Sequence, residues 1–472
     1  MSYLLELNEL AVSSQGFEKV APLSFALNAG ESVTILGETG SGKSLFAKAI
    51  FGDLPSGFNS HGEVLLNNKR VDQLPSIERE ALWGRDIAIL PQEPRLALSP
   101  LMRIGEQISE VYRWVNNLSR HDTQSAMQSD LDSVGLQEAQ NQFPVEISGG
   151  MAQRAAFLCA RAAGGKVLIA DEPTKGLDDA SKAKVISALK MHKQTGCLVT
   201  ITHDLDVAKA LGGRIYVLYK GQWQSRDLSF EQWLNNTQDH YSQSLISAAS
   251  HVAHPSKRQG KQQEPLIEVE DLSAGFDTKQ LFTALSFNVA RGEVVGFSGP
   301  SGCGKSTLGD ILLGLKQGLT GKVVECRALP IGRKVKLYQD PPQAFSSTLT
   351  LRQQVNDLCR LHDIDNALVL KFAEQLQLSE DVLDRYANQV SGGELQRVAI
   401  LRILLLQPEL IIADEPTTRL DPQIARSTLD LLVESAKRIN CALVLITHSQ
   451  HEVDRYCDKV LTFAPNRPVE IK

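Results

Sequence analysis

No apolar run in this 472-residue chain approaches the roughly 18–20 residues that span a bilayer. The longest candidates, Ala442–Ile446 and Lys166–Ala170, have the length of buried strands. The start, Met1–Leu10, carries Glu6 and Glu9 and lacks a basic segment ahead of an apolar one, so no secretory signal is expected. None of the seven cysteines stands at Cys-x-x-Cys spacing, which leaves iron–sulfur or zinc ligation with little support and suggests reduced thiols. A net charge of −6 tilts against nucleic acid bound through a broad basic face. His240, His251 and His254 cluster but match no metal-ligand spacing. What is there, 42% hydrophobic and 22% charged residues, is an ordinary globular composition with length for two large domains.

The chain repeats itself. Lys43 matches Lys305, Ser148 matches Ser391, Asp171 matches Asp414 and His203 matches His448, in the same order. Residues 1–250 and 264–472 therefore read as two domains. Residues 251–263 between them (HVAHPSKRQGKQQ) are polar, contain Pro and Gly and lack an apolar period, as an exposed linker does. Each half reads as α/β. Glu31–Leu36 and Glu293–Ser298 are short apolar runs before a Gly-rich turn, with helix expected over Leu45–Phe51 and Leu308–Leu315. Val167–Ala170, Leu410–Ala413, Leu198–Ile201 and Ala442–Ile446 read as buried parallel strands. Residues 96–160 and 344–403 read as mainly helical insertions. The second half is shorter between Lys305 and Gln339 than the first between Lys43 and Gln92, and an antiparallel β region is the expected place of the deletion.

Both apolar runs that precede a Gly-rich turn lead into the pattern Gly-x4-Gly-Lys-Ser. In the first half it is Gly37, Glu38, Thr39, Gly40, Ser41, Gly42, Lys43, Ser44; in the second, Gly299, Pro300, Ser301, Gly302, Cys303, Gly304, Lys305, Ser306, with Thr307 behind. Glycines let backbone N–H groups approach phosphates, and the helix that follows adds positive potential. Lys43 and Lys305 would neutralise the β and γ phosphates, and Ser44 and Ser306 would hold Mg²⁺. Asp171-Glu172 and Asp414-Glu415 end apolar strands at the same sheet edge. Asp171 and Asp414 suit the metal, and Glu172 and Glu415 suit the base that polarises attacking water. Ser148-Gly149-Gly150 and Ser391-Gly392-Gly393 precede helical segments, where a hydroxyl, backbone N–H groups and the helix dipole can grip a γ-phosphate. A lone Ser-Gly-Gly is a turn, but here each copy stands at the same distance before its Asp-Glu pair. Cys303 lies beside Lys305 at a helix start, which should favour its thiolate, although a small filler role suits it too.

These motifs resemble the ABC-type ATPase family over nearly the whole chain. The resemblance implies two tandem P-loop domains, each with a RecA-like α/β core, an antiparallel β region and a helical subdomain, and it implies ATP and Mg²⁺ as cofactors. It also implies that each signature completes the ATP site of the opposite domain. Site one would then combine Lys43, Ser44, Asp171, Glu172 and His203 with Ser391 and Gly393; site two, Lys305, Ser306, Asp414, Glu415 and His448 with Ser148 and Gly150. Gln92 and Gln339 match the family's glutamine loops, which touch Mg²⁺, and His203 and His448 its switch histidines. Gly176-Leu177-Asp178 and Arg419-Leu420-Asp421 match its D-loops. Phe276 fits the place of the aromatic residue that stacks on adenine. The equivalent in the first half is Ser14, with Phe17 as a substitute, so weaker nucleotide binding is expected at site one.

Within the family, Pro94–Pro100, Ile104–Ile108, Phe143–Glu146 and His240–Leu245 resemble the oligopeptide, dipeptide and nickel importer ATPases, with two subunits fused. That resemblance implies a motor on the cytoplasmic face of the cell (inner) membrane, two integral membrane permease subunits and an extracytoplasmic substrate-binding protein, and no nucleic-acid partner. The second half stops soon after His448, without the long extension common in peptide-importing members, which leaves a nickel or metal-chelate cargo open beside peptides. The alternative is a tandem ABC ATPase acting on ribosomes or DNA. Its ribosome-associated type has a long charged helical linker, unlike 251–263.

Overall fold

The structure is a computed structural model that describes residues 3–38, 40–175, 177, 179–249, 264–276, 279–300, 302–327, 329–330, 332–338, 344–417, 420, 422–464 and 468–471. Residues 251–263, Thr39, Ser301 and Gln339 lie outside the described residues, as do Gly176, Asp178, Arg419 and Asp421 of the D-loops and the side chain of Phe276. The chain divides into two compact units, Met1–Ala249 and Ser250–Lys472.

In the first unit a six-stranded sheet runs in the order Gln222–Ser229, Arg214–Tyr219, Ser32–Leu36, Cys197–Thr202, Val167–Asp171, Ile87–Leu90. All neighbours but the first pair are parallel. Helices cover both faces, so the strands read as unbroken apolar runs rather than alternating ones. The side chains still alternate in destination. Ile35, Ile169, Val199 and Ile201 join one core with the helix Lys43–Phe51, while Leu168, Ala170 and Leu198 join another with the helical insertion. The second unit repeats this. Its order is Lys334–Leu337, Leu410–Asp414, Ala442–Thr447, Val294–Ser298, Lys459–Thr462, Glu470–Ile471. Phe297, Ile412, Val444 and Ile446 face one core, and Ile411, Ala413, Leu443 and Leu445 the other.

Each unit also carries an antiparallel sheet. The first unit's has four strands, Phe17–Leu27, Leu5–Ser14, Phe58–Leu66 and Lys69–Arg70; the second's has three, Lys279–Ala290, Pro265–Phe276 and Thr320–Glu325. Here lies the expected deletion. Among the described residues the second unit has no counterpart of the strand Lys69–Arg70 or the helix Ser76–Glu80. The repetition extends to a bulge: Glu9 and Asp271 both take left-handed backbone, and the facing glycines, Gly62 and Gly321, lie so close that a Cβ would strike their carbonyls.

One helix is shorter than the sequence suggests. Lys305–Leu312 ends before Leu315, because Gly314 adopts φ 77° and the N–H of Leu313 turns back onto Gly309 and Ile311.

Candidate functional site

Each unit gathers its Gly-x4-Gly-Lys-Ser turn, its Asp-Glu pair and its histidine at the carboxyl edge of its parallel sheet, where ligands of open α/β sheets bind; its Ser-Gly-Gly signature caps a helix of the insertion instead. The cradle glycines explain themselves one by one. At Gly37 a Cβ would lie 2.3 Å from the Leu218 carbonyl oxygen, and at Gly299 2.4 Å from that of Phe463, so the loop is pressed against the neighbouring strand. Gly40 and Gly302, both at positive φ, face open space where a ligand could come close to the backbone. Lys43 donates to the carbonyls of Gly37 and Glu38 at 2.7 and 2.6 Å; Lys305 donates to those of Gly299 and Pro300 at 2.6 and 2.7 Å. Both ammonium groups are buried, cross the loop and hold it curved.

In the first unit Asp171 is buried. Burial pushes its carboxyl above the usual range, against the hydrogen bond from Ser44, and the neighbouring Glu172 charge adds to the rise. One of its oxygens is buried without a hydrogen-bond partner. A hard, orphaned oxygen beside a serine hydroxyl fits Mg²⁺ with phosphate oxygens completing the shell. Burial would raise Glu172 as well, but His203, Lys43 and Lys175 outweigh it and hold the carboxyl below its ordinary value. Glu172 Oε1 lies 2.8 Å from His203 Nδ1, and Thr202 donates to Oε2 at 3.5 Å. An ionised carboxylate oriented by an imidazole can take a proton from water.

The second unit has the same groups in a different setting. Ser306 donates to Asp414 Oδ1 at 3.0 Å, so hydroxyl and carboxylate again meet. His448 Nδ1 stands 3.6 Å from Glu415 Oε1. Thr447, the counterpart of Thr202, donates to Glu452 at 2.5 Å, and Thr417 donates to the other oxygen of that carboxylate at 2.7 Å. Both acid-pair glutamates hold left-handed backbone, φ 49° at Glu172 and φ 47° at Glu415. Each donates its N–H to the strand that carries its histidine, to Ile201 at 2.8 Å and to Ile446 at 2.9 Å.

Cys303 corrects an expectation. Burial pushes its thiol up and outweighs Lys305, so the thiolate is disfavoured, and Sγ donates to the Pro300 carbonyl at 2.9 Å.

Both signature serines are helix N-caps, Ser148 for Gly149–Ala162 and Ser391 for Gly392–Leu405. Glu394 makes the second a capping box, whereas Met151 leaves the first with a single cap bond. Gly150 and Gly393 pack against the next helix, while a Cβ at Gly149 would meet nothing. Gln92 is exposed after the strand Ile87–Leu90. Phe17 opens its strand with 71% of its surface exposed. Among the described residues no group of three or more His, Cys, Asp or Glu could hold a metal by itself, and no helix is long and apolar enough to cross a membrane. Motif reading passes over Lys336 and Asp310 beside Asp414; their one signal is a lysine inside a strand where the first half has Ile89.

The ABC transporter family model matches residues 20–175 and 282–418, and the chain belongs to that family as a fused pair of ATP-binding, ATP-hydrolysing domains. It is 29% identical over 97% of its length to the glutathione import ATP-binding protein GsiA of Escherichia coli strain K12, covering 83% of that protein, and the GsiA of Shigella flexneri matches to the same extent. Among solved structures it is similar to an RNase-L inhibitor, with a TM-score of 0.66 and 20% identity over 98% of this chain and 89% of that one. A ribosome-bound archaeal ABCE1 with Pelota gives 0.68 and 19% over 98% and 78%. At these identities the two structures speak for the fold alone.

Proposed function

We propose that the chain is the motor subunit of an importer, hydrolysing ATP to drive uptake of small peptides or metal chelates through two separate membrane permeases. The reading rests on one observation: both halves keep the phosphate cradle, the glutamine, the signature, the Asp-Glu pair and the histidine, over the length of a protein named for glutathione import. Glutathione is itself a small peptide, which favours peptides over nickel as cargo.

Backbone N–H groups of Gly40–Lys43 and Gly302–Lys305 cradle the phosphates, with Lys43 and Lys305 turning from their loop carbonyls to the β and γ oxygens. Ser44 with Asp171, and Ser306 with Asp414, would hold Mg²⁺, which neutralises phosphate charge when bound. Gln92 and Gln339 are assigned to sensing that ion. Glu172 and Glu415 accept the proton of attacking water, and His203 and His448 orient them and read the γ-phosphate. Ser148 to Gly150 and Ser391 to Gly393 each complete the site of the other half. ATP then favours the paired state of the halves, and hydrolysis releases it, a population shift set by contacts to one phosphate. In this reading the motor lies at the cytoplasmic face of the membrane with an extracytoplasmic binding protein upstream.

A tagged chain recovered from gently solubilised membranes tests this. Two polytopic permeases at near-equal amounts support the importer motor. Recovery with ribosomes or nucleic acid instead would overturn it in favour of the alternative and leave the ATP sites standing.

A further inference from the structure

The carboxylate that ends the strand Leu410–Asp414 is held at both oxygens. Ser306 donates to Oδ1 at 3.0 Å, and the Lys336 ammonium stands 3.2 Å from Oδ2. Lys336 is itself anchored: it donates to Asp310 Oδ1 at 2.7 Å, while Lys316 pairs with Asp310 Oδ2 at 3.0 Å. The side chains of Lys336, Asp310 and Asp414 are only 11%, 15% and 14% exposed, so water screens this chain of charges weakly.

Among the described residues the first half has no lysine on the strand beside its metal carboxylate. Strand register pairs Lys336 with Ile412 and Ile89 with Ile169, so Ile89 takes the place of Lys336. Lys48, as far beyond Lys43 as Asp310 is beyond Lys305, takes the place of Asp310. There the carboxylate of Asp171 keeps one buried oxygen with no hydrogen-bond partner. Relative to the first half, the second has a cation on the strand together with an anion on the helix, which marks the pair as a unit rather than a stray lysine.

We propose that Lys336 is a positioning residue for the metal-holding carboxylate of the second ATP site, and that it gives this site a weaker grip on divalent cation than the first. The inference rests on the ATP-site reading above. A hard cation needs a carboxylate oxygen to itself or through its own water, and here an ammonium fixed by Asp310 already shares that oxygen. The ion must displace the ammonium or sit beside it against like-charge repulsion.

The test is Mn²⁺ binding, read from the paramagnetic resonance of free Mn²⁺, with a non-hydrolysable ATP analogue present. It uses two full-length chains: Lys43→Ala, which leaves the second site to report, and Lys305→Ala, which leaves the first. The second site is expected to bind Mn²⁺ about tenfold more weakly. Lys336→Ile should erase the difference and Lys336→Arg should keep it. Lys336→Ile combined with Asp310→Lys copies the first half's Ile89 and Lys48 and should also erase it, without stranding an acid. Equal affinities at the two sites, or a difference that survives both isoleucine variants, overturn the proposal. Loss of nucleotide-dependent Mn²⁺ binding in both chains would instead bring down the ATP-site reading, and this inference with it.

Discussion

In the first half His203 lies 2.8 Å from Glu172; in the second, His448 and Glu415 are 3.6 Å apart. The same pair of residues follows the same kind of strand in both. What differs is the company. Thr202 leans on Glu172, while Thr447 is drawn off by Glu452, whose place in the first half is held by apolar Val207. Asp171 keeps an unpartnered oxygen, while Asp414 is gripped by Ser306 and Lys336. A repeated motif therefore secures the inventory of a site, and residues outside the motif set how tightly each member is held. The first half sets its base closer to the histidine; the second grips its metal carboxylate at both oxygens.

The sharpest way to break this comparison is to remove each base alone. Glu172→Gln should cost about a hundredfold or more in ATP hydrolysis with ATP binding retained, the usual scale for a lost general base. Glu415→Gln should cost less, because its histidine is farther away. Equal losses in steady-state turnover would erase the distinction.

Next come the signature glycines. At Gly393 a Cβ would lie 2.5 Å from Ile424 Cγ2, so Gly393→Ala overpacks and should lose about 1–3 kcal/mol in thermal or denaturant unfolding. At Gly150 the nearest atoms are the Ser181 hydroxyl oxygen at 3.2 Å and Leu177 Cδ2 at 3.3 Å, so the neighbours need give by only a few tenths of an ångström. There the helix preference for alanine, up to about 1 kcal/mol, offsets the crowding and leaves Gly150→Ala near neutral.

Nucleotide affinity gives a third contrast. Phe276→Ala should weaken binding at the second site by about 1–3 kcal/mol, the worth of a stacking contact. Phe17→Ala should matter less at the first site, where weaker nucleotide binding is expected from the start. Affinities that are equal and indifferent to Phe17 would refute the expectation.

The smallest effect is a pH profile. Cys303 occupies the place of Ser41, and burial raises its thiol above the ordinary 9.0. Its alkylation should be slow near neutrality, keep accelerating as pH rises past 9, and be protected by ATP. A rate that levels off below that value would restore the activated thiolate.

Contiguous chemistry was legible in the sequence and dispersed chemistry was not. The cradles, the Asp-Glu pairs and the signatures each lie within a few residues, so spacing alone exposes them. The core strands showed as apolar runs because both faces of the sheets are buried. The helix end at Gly314 carried a readable stop signal that a continued apolar pattern through Leu315 masked. Lys336, Asp310 and Asp414 come from three separate elements, and only the fold brings them together. The rerouting of Thr447 by Glu452 likewise depends on two hydroxyls converging on one acid.

The backbone at Glu172 and Glu415 has a cost of another sort. A side chain at φ near +50° sits in a region that disfavours everything but glycine, by roughly 1–2 kcal/mol per residue. Glycine would relax that backbone at either position and extinguish the chemistry there. Random change that improves folding would therefore tend to silence one half at a time, and an inert half would not betray itself by unfolding. Glu172→Gly or Glu415→Gly should therefore silence its own half without lowering the temperature at which that half unfolds.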